Sequence, residues 1–241
     1  MKKFELTNEF ITNMFGTKLF RIRALVEFGD VEAGELGGYV EKESNLGHDD
    51  NAWVYDNAWV YGNARVYGDA QVSGDALVCG NARVYGDAQV SGDALVYGNA
   101  RVYGNAWVYG NALVCGNALV YDNAWVYGNA RVCGDALVCG NARVCSDALV
   151  CGNARVCSDE DYAYAHGFGS VNRTTTFFRL KDGGVGVRCG CFYGTLAQFR
   201  DKIRETHGET KKAQEYLMLA DLMELRFEED ENEVGNRKYV E

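Results

Sequence analysis

The sequence predicts a mainly β protein whose central part winds into a parallel β-helix. Residues 51–158 consist of one hexapeptide written 18 times without interruption. The second residue of every copy is Ala and the fourth is Val. A fixed period of six residues is typical of β-helical chains, because each copy adds the same short unit to one continuous core. The chain contains no proline, as expected where inner strands must donate hydrogen bonds to both neighbours.

Each hexapeptide is expected to form one short strand and one corner. The Ala and the Val lie two residues apart, so in an extended segment both point towards the core. Val favours a strand, and the small Ala lets the backbone bend around a narrow interior. The sixth residue is usually Gly and is followed by Asn or Asp, and all three types form turns readily. Three corners close one triangular coil of 18 residues, so the array predicts about six coils.

Residues 18 apart then stack in columns on three flat faces. We name the second face, which begins at Trp59, the apolar face, because Leu, Trp, Tyr and Cys fill most of its outward positions. Its candidate oligomer-interface residues are Trp59, Tyr61, Leu77, Leu95, Tyr97, Leu113 and Leu149, with Arg131 interrupting the row. Such a continuous apolar surface exceeds what monomers usually expose. We therefore predict a homo-oligomer; the alternative is a rigid wall on which apolar residues are tolerated.

The third face places a row of arginines beside a row of tyrosines. It contains Arg65, Arg83, Arg101 and Arg155 beside Tyr67, Tyr85, Tyr103 and Tyr121. Arginine next to stacked tyrosine can hold a polyanion. A solvated aromatic ladder is the preferred interpretation, because the repeats carry a net charge of −2, so we do not expect nucleic acid as a partner. The first face, which begins at Trp53, is mixed in character.

Charge and cysteine content narrow the class of protein further. The chain has a net charge of −10. It contains no run of 18 apolar residues, so we expect neither a membrane span nor a membrane partner. The N-terminus lacks an apolar signal core, so the nine cysteines are expected as thiols in a reducing cytoplasm rather than as a disulfide framework. Seven of them occupy the outward fifth position of a hexapeptide. We predict no cofactor and no metal site.

Non-repetitive segments flank the array on both sides. Residues 1–50 are expected to cap the β-helix, with a strand at Leu19–Leu25. Val40 and Leu46 are six residues apart and can begin an imperfect coil. Leu46 and the first hexapeptide Val are eight residues apart instead of six, which implies two inserted residues.

Residues 159–227 are expected to form a ββαα module, followed by an acidic tail at 228–241. Its expected elements are strands at 174–180 and 185–192, a helix at 196–206 with Thr195 as N-cap, and a helix at 210–227. The inward residues of the second helix are expected to be Tyr216, Leu217, Ala220 and Leu225. Alternation within the second strand would place Cys189 and Cys191 on one face, too close together in sequence for a standard zinc pair.

The start of this module is the best candidate for a ligand site. Its candidate binding residues are Tyr164, His166, Ser170, Asn172, Arg173, Thr175 and Arg179. Aromatic rings for stacking, arginines for an anion and hydroxyl donors together suit a small anionic or nucleotide-like ligand. The alternative is a purely structural hairpin.

The hexapeptide array closely resembles the left-handed parallel β-helix of the hexapeptide-repeat families, over 108 of the 241 residues. The best-known enzymes with this repeat are acyltransferases, which use a histidine as general base. No hexapeptide here contains His, since the three histidines are His48, His166 and His207. We therefore expect no enzyme, with acyl transfer as the enzymatic alternative.

Two further resemblances concern the flanking segments. Residues 21–25, 29–40 and 45–46 look like the start of uncharacterised bacterial and phage hexapeptide-repeat proteins that are often labelled transferases. Residues 167–178 and 189–196 look like a domain of phage-borne and prophage proteins. These resemblances imply a bacterial or phage origin and a place in the bacterial or host cytoplasm.

The predicted function is a scaffold that oligomerises through the apolar face and presents its C-terminal module to a partner or ligand. The alternative is capture of a small anionic or nucleotide-like ligand, as in a phage anti-defence protein.

Overall fold

A computed structural model describes residues 2–169 and 172–228. The chain divides into two compact units, Met1–Asp159 and Glu160–Glu241. The first unit is a parallel β-solenoid preceded by antiparallel strands, and the second is an antiparallel sheet followed by two helices. The fold is therefore mainly β, as predicted. The predicted acidic tail, from position 229 onward, lies outside the described residues.

Three strands precede the repeat array. β1 (Phe4–Thr12) and β2 (Lys18–Ala24) form an antiparallel hairpin, and β3 (Leu36–Val40) pairs antiparallel with β2. β2 corresponds to the strand predicted over residues 19–25, whereas β1 was not predicted. A short 3-10 turn, Glu43–Asn45, follows β3.

Every hexapeptide forms one two-residue strand, made of its third residue and its Val, and the strands stack into three parallel sheets. The first face contains β4 (Trp53–Val54), β7 (Gln71–Val72), β10 (Gln89–Val90), β13 (Trp107–Val108), β16 (Trp125–Val126) and β19 (Arg143–Val144). The apolar face contains β5 (Trp59–Val60), β8 (Leu77–Val78), β11 (Leu95–Val96), β14 (Leu113–Val114), β17 (Arg131–Val132) and β20 (Leu149–Val150). The third face contains β6 (Arg65–Val66), β9 (Arg83–Val84), β12 (Arg101–Val102), β15 (Leu119–Val120), β18 (Leu137–Val138) and β21 (Arg155–Val156).

The register of these sheets follows the period of 18 residues. Leu95 pairs with Leu77 on one side and with Leu113 on the other. Its backbone N–H donates to the carbonyl of Ala112 at 2.9 Å. Every Ala and Val of the array is 0% exposed, so the core is a stack of methyl groups along the solenoid axis. Burial of this apolar surface is the main stabilising contribution of each turn.

A partial seventh turn precedes the array. Val40 pairs in parallel with Val60, and Leu46 forms a parallel bridge with Val66. Both separations are 20 residues rather than 18, so the predicted start of an imperfect coil and its two inserted residues are confirmed.

The N-terminal segment covers one residue that the sequence placed on an outer face. Trp53 is 0% exposed, and Phe4 and Phe28 pack edge-on against its ring at centroid distances of 6.2 and 5.3 Å. The first face is therefore open only beyond Trp53. The hexapeptide pattern could not predict this burial, because the covering residues lie outside the repeat.

The C-terminal module contains a four-stranded antiparallel sheet in sequence order. Its elements are β22 (Tyr162–Phe168), β23 (Arg173–Arg179), β24 (Val185–Cys189), β25 (Phe192–Thr195), α1 (Leu196–His207) and α2 (Lys211–Phe227). A 3-10 turn, Asp159–Asp161, precedes β22. The two predicted strands are present as β23 and β24, and β22 and β25 flank them.

Helix α1 begins at the predicted residue and ends at His207, one residue after the predicted end. Thr195 accepts a hydrogen bond from the backbone N–H of Gln198, whose side chain accepts one from Thr195 N, and Gly208 follows the last turn. In α2 the buried residues are Ala213, Tyr216, Ala220, Met223 and Phe227. The prediction for Leu225 was wrong: its side chain is 68% exposed, because it lies two residues away from this stripe.

The cysteines also depart from expectation at two places. Cys139 and Cys157, 18 residues apart on adjacent turns, are joined by a disulfide, so the expectation of thiols throughout is wrong for this pair. The predicted strand 185–192 is interrupted by a turn at Gly190 and Cys191. Cys189 and Cys191 therefore do not share one strand face.

Among the described residues, neither helix has the length and apolar composition needed to cross a bilayer.

Candidate functional site

A pocket of about 270 Å³ opens in the C-terminal module beside the β24–β25 turn and helices α1 and α2. Its apolar lining residues are Phe192, Phe199 and Ile203. Its basic lining residues are Arg173, Lys202 and His207. Cys189, Cys191, Thr206 and Tyr216 complete the described lining. An apolar floor with several convergent polar groups is the usual composition of a small-molecule site.

Helix α1 supplies half of this lining from one side. Phe199 and Ile203 are four residues apart and only 4% and 3% exposed, so they anchor the helix on the sheet. Lys202, Thr206 and His207 follow the same face towards the C-terminal end of the helix. Positive side chains at this end also interact favourably with the helix dipole.

Arg173 reaches the pocket because of a glycine in the neighbouring turn. β24 and β25 are joined by the two residues Gly190 and Cys191, and Gly190 has a φ of +58°. A two-residue hairpin loop with glycine first is typical of a type II′ turn. A Cβ at Gly190 would overlap the guanidinium of Arg173, so a larger residue there would require this arginine to move.

Tyr216 fixes the inner wall of the pocket. Its hydroxyl donates to the carbonyl of Phe168 at 3.2 Å, and the thiol of Cys189 lies 3.9 Å from the same oxygen. Burial, together with the nearby Cys189, raises the pKa of Tyr216 to about 12, so the phenol stays neutral. The ring of His207 stacks beside the Tyr216 ring at 5.9 Å between centroids.

Of the predicted ligand-binding residues, Arg173 and Thr175 belong to the region of this pocket. Thr175 is 0% exposed and donates from its hydroxyl to Cys189 Sγ at 3.2 Å. Arg179, at the other end of β23, pairs with Asp161 at 3.3 Å. Six residues of extended strand separate the two arginines by roughly 20 Å. They therefore do not form one anion site.

The other predicted residues lie elsewhere in the module. Tyr164 pairs with Thr176, so alternation places it on the sheet face opposite Thr175. His166 Nδ1 lies 2.8 Å from the hydroxyl of Thr174. Asn172 precedes β23 with a φ of +48°. Ser170 lies outside the described residues.

The basic residues of α1 and the aromatic residue of α2 were missed as site residues. Lys202 and His207 lie one residue before and four after Ile203, on the border of the apolar stripe. That position is a weak signal, because a basic residue beside an apolar stripe usually only contacts solvent.

The apolar face has its own surface feature. The paired strands place its candidate residues in one column, in the order Trp59, Leu77, Leu95, Leu113, Arg131 and Leu149, with Tyr61 and Tyr97 in the adjacent fifth-position column. At its N-terminal end lies an indentation of about 400 Å³, lined by Ile11, Tyr39, Asn57, Trp59, Asp75 and Leu77. The tyrosines of the third face stack from Tyr67 to Tyr121 at centroid distances of 5.0, 4.9 and 5.0 Å.

Comparison with known families supports a β-solenoid repeat protein. Eight segments are similar to the family described as YdcK Beta solenoid repeat, at residues 58–74, 70–86, 76–92, 88–104, 94–110, 100–116, 112–128 and 124–140. These segments lie within the solenoid and leave both flanking regions unmatched. No curated protein matches the chain.

Proposed function

We propose that this chain is a β-solenoid scaffold whose C-terminal module binds a small anionic molecule. The observation that carries the proposal is the convergence of Arg173, Lys202 and His207 on one pocket with an apolar floor. We further expect the solenoid to be left-handed, as in the hexapeptide-repeat families that it resembles.

The charge of the pocket favours an anion. Arg173 presents a planar guanidinium suited to a phosphate or carboxylate, and Lys202 adds a second positive charge. No carboxylate is present among the described lining residues. Lys202 also pairs with the exposed Glu205 at 2.7 Å, so the ligand must compete with that carboxylate.

The floor favours a ligand with a flat apolar part. The rings of Phe192 and Phe199 lie 5.5 Å apart, and the ring of Phe199 stands edge-on to Tyr216 at 5.8 Å. A volume of about 270 Å³ suits one ring with its anionic substituent. The expected class is therefore an aromatic or nucleotide-like phosphate or carboxylate.

Phenyl phosphate is a suitable probe because it combines one ring with one phosphate. Calorimetric titration should detect its binding, and phenol should bind more weakly. Arg173→Ala should weaken phenyl phosphate binding by about tenfold or more. Arg204→Ala replaces an exposed arginine of α1 that does not line the pocket, and it should leave binding unchanged. Equal affinity for wild type and Arg173→Ala would overturn the proposal.

Assembly through the apolar face is a second candidate function. The supporting observation is that the apolar column and the indentation lined by Ile11, Tyr39 and Trp59 lie on one continuous sheet. Tyr97, in the adjacent column, remains 36% exposed. A second copy of the chain would bury both features.

The assembly proposal is tested by light scattering coupled to gel filtration. Leu95→Asp and Leu113→Asp should each convert the oligomer to a monomer, because the charge would be buried in the interface without a partner. Gln89→Asp, which adds the same charge on the first face, is the control. A monomeric wild type, or variants that assemble normally, would contradict the proposal.

A further inference from the structure

We infer that Cys189 and Cys191 form a thiol–disulfide exchange site whose substrate is a small anionic disulfide. The inference rests on the proposed anion pocket, because both cysteines line it together with Arg173 and Lys202. It assigns chemistry to the one pair of cysteines that lies outside the repeat array.

The two cysteines lie close together in the chain, on either side of one turn residue. They are separated by Gly190 alone, so even an extended chain would place their Cα atoms no more than about 7 Å apart. The two-residue turn shortens that distance, towards the 4.4–6.8 Å that disulfides span. We therefore expect an internal Cys189–Cys191 bond to form by rotation of the two side chains and adjustment of the turn.

The two thiols have different surroundings, which assigns them different roles. Cys191 is exposed at the turn and can attack a disulfide from solvent. Cys189 is half-buried, and its sulfur accepts the hydroxyl hydrogen of Thr175 at 3.2 Å. That hydrogen bond holds the Cys189 sulfur beside the turn, which suits it to the second, resolving step of the exchange.

The reaction balances as a two-electron exchange. The Cys191 thiolate attacks one sulfur of the substrate disulfide, forms a mixed disulfide and releases one substrate thiolate. The Cys189 thiolate then attacks Cys191 Sγ, forms the Cys189–Cys191 disulfide and releases the second thiolate. The two protein thiols are oxidised, the substrate disulfide is reduced, and the two thiol protons pass to solvent or to the released thiolates.

The basic residues explain the preference for an anionic substrate. Arg173 lies over the Gly190–Cys191 turn and can hold a carboxylate of the substrate beside the attacking sulfur. Lys202 offers a second positive charge. Both charges also favour the thiolate that leaves, because negative charge develops on it during the exchange.

The test uses oxidised glutathione as the anionic disulfide and bis(2-hydroxyethyl) disulfide as the neutral one. The reduced full-length protein is incubated with each, alkylated and mapped by peptide mass spectrometry. Wild type should form the Cys189–Cys191 disulfide, and Cys189→Ser should accumulate glutathione on Cys191. Arg173→Gln should slow the reaction with oxidised glutathione about tenfold, and the reaction with the neutral disulfide less than about twofold.

Two outcomes would overturn the inference. One is a wild-type chain in which Cys191 reacts no faster than N-acetylcysteine and no Cys189–Cys191 bond forms. The other is an equal effect of Arg173→Gln on both disulfides. Phenyl phosphate binding to the Cys189→Ser/Cys191→Ser variant separates this inference from the proposed function. If the protein binds phenyl phosphate but wild type does not exchange disulfides, the exchange site alone is contradicted. If neither phenyl phosphate binding nor disulfide exchange is observed, the pocket itself is contradicted.

Discussion

Asn117 donates a hydrogen bond from its side-chain amide to the carboxylate of Asp135 on the next turn, at 2.8 Å. This bond belongs to a row along one corner of the solenoid, in which each asparagine donates to the residue 18 positions later. The row consists of Asn63, Asn81, Asn99, Asn117 and Asp135. An amide both donates and accepts, whereas a carboxylate only accepts. Aspartate therefore fits where the residue only accepts from the preceding turn, and asparagine fits where it must both accept and donate.

The direction of the row predicts different effects for two charge-changing substitutions. Asn99→Asp can still accept from Asn81 but cannot donate to Asn117, so it should lower the free energy of unfolding by about 1 kcal/mol. Asp135→Asn keeps the acceptor for Asn117 and should change it by less than about 0.5 kcal/mol. Urea unfolding followed by circular dichroism measures both. Equal losses in the two variants would show that the row contributes no directional hydrogen bonding.

A second prediction concerns a corner where glycine is replaced. Asp122 occupies the sixth hexapeptide position with a φ of +59°, and its carboxylate accepts from the N–H of Gly140 at 3.3 Å. Asp122→Ala keeps the unfavourable backbone angle and loses this bond, so the free energy of unfolding should fall by about 1–2 kcal/mol.

Asp122→Gly is the matched control for that substitution. It loses the same hydrogen bond but relieves the backbone strain, so its stability should stay within about 1 kcal/mol of wild type. Thermal unfolding of the three proteins measures the difference. If Asp122→Gly were as unstable as Asp122→Ala, the positive φ of residue 122 would not lower the stability of this corner.

The repeat array was predictable in detail because its information is local. The spacing of Ala and Val sets the strand, the sixth residue sets the corner, and the period sets the register between Leu95 and Leu113. The partial turn was predictable for the same reason, since Val40 and Leu46 keep the spacing of six. Helix α1 likewise carries its own start signal in Thr195 and Gln198.

The pocket was only partly predictable because it depends on residues far apart in sequence. Arg173 was chosen for its chemistry, but strand alternation places Tyr164 on the other face of the sheet. Its partners in the pocket, Lys202 and His207, come from a helix that begins more than twenty residues later. These three residues come together only when the module packs, so no spacing pattern in the local sequence predicts that they share a pocket. Strands β1 and β22 were missed because their pairing partners define them more than their composition does.

A third prediction tests the glycine that admits Arg173 to the pocket. Gly190→Ala would place a Cβ against the guanidinium at a residue with a φ of +58°. Phenyl phosphate affinity should fall about tenfold, because the arginine must move away from the pocket. The variant should also lose about 1–2 kcal/mol of stability from the backbone angle.

Gly183→Ala separates these two effects. Gly183 also has a positive φ, of +87°, but a Cβ there would meet nothing within 4 Å. This variant should lose comparable stability and keep its affinity for phenyl phosphate. Weak binding by both variants would mean that general destabilisation, rather than displacement of Arg173, reduces the affinity.

The last prediction concerns pH and the lysine that anchors the N-terminal segment. Lys3 is 3% exposed, and its ammonium donates to the carbonyls of Ala52 and Asp50 at 2.8 and 3.1 Å. Burial lowers the pKa of Lys3 to about 8, and Asp50 only partly offsets this effect. In the unfolded chain the pKa returns to 10.5, so between these values the unfolded state binds more protons than the folded state.

The contribution of Lys3 to stability should therefore increase as pH rises from about 8 towards 10.5, where it levels off. Lys3→Met removes this dependence, so the free energy of unfolding of wild type relative to the variant should grow by about 2 kcal/mol between pH 7 and pH 10. Lys2→Met, which replaces an exposed lysine, is the control. Comparison of wild type with each variant cancels the contributions of tyrosines and thiols that titrate in the same range. A difference between wild type and Lys3→Met that stays constant over this range would mean that the ammonium is not desolvated at the start of the solenoid.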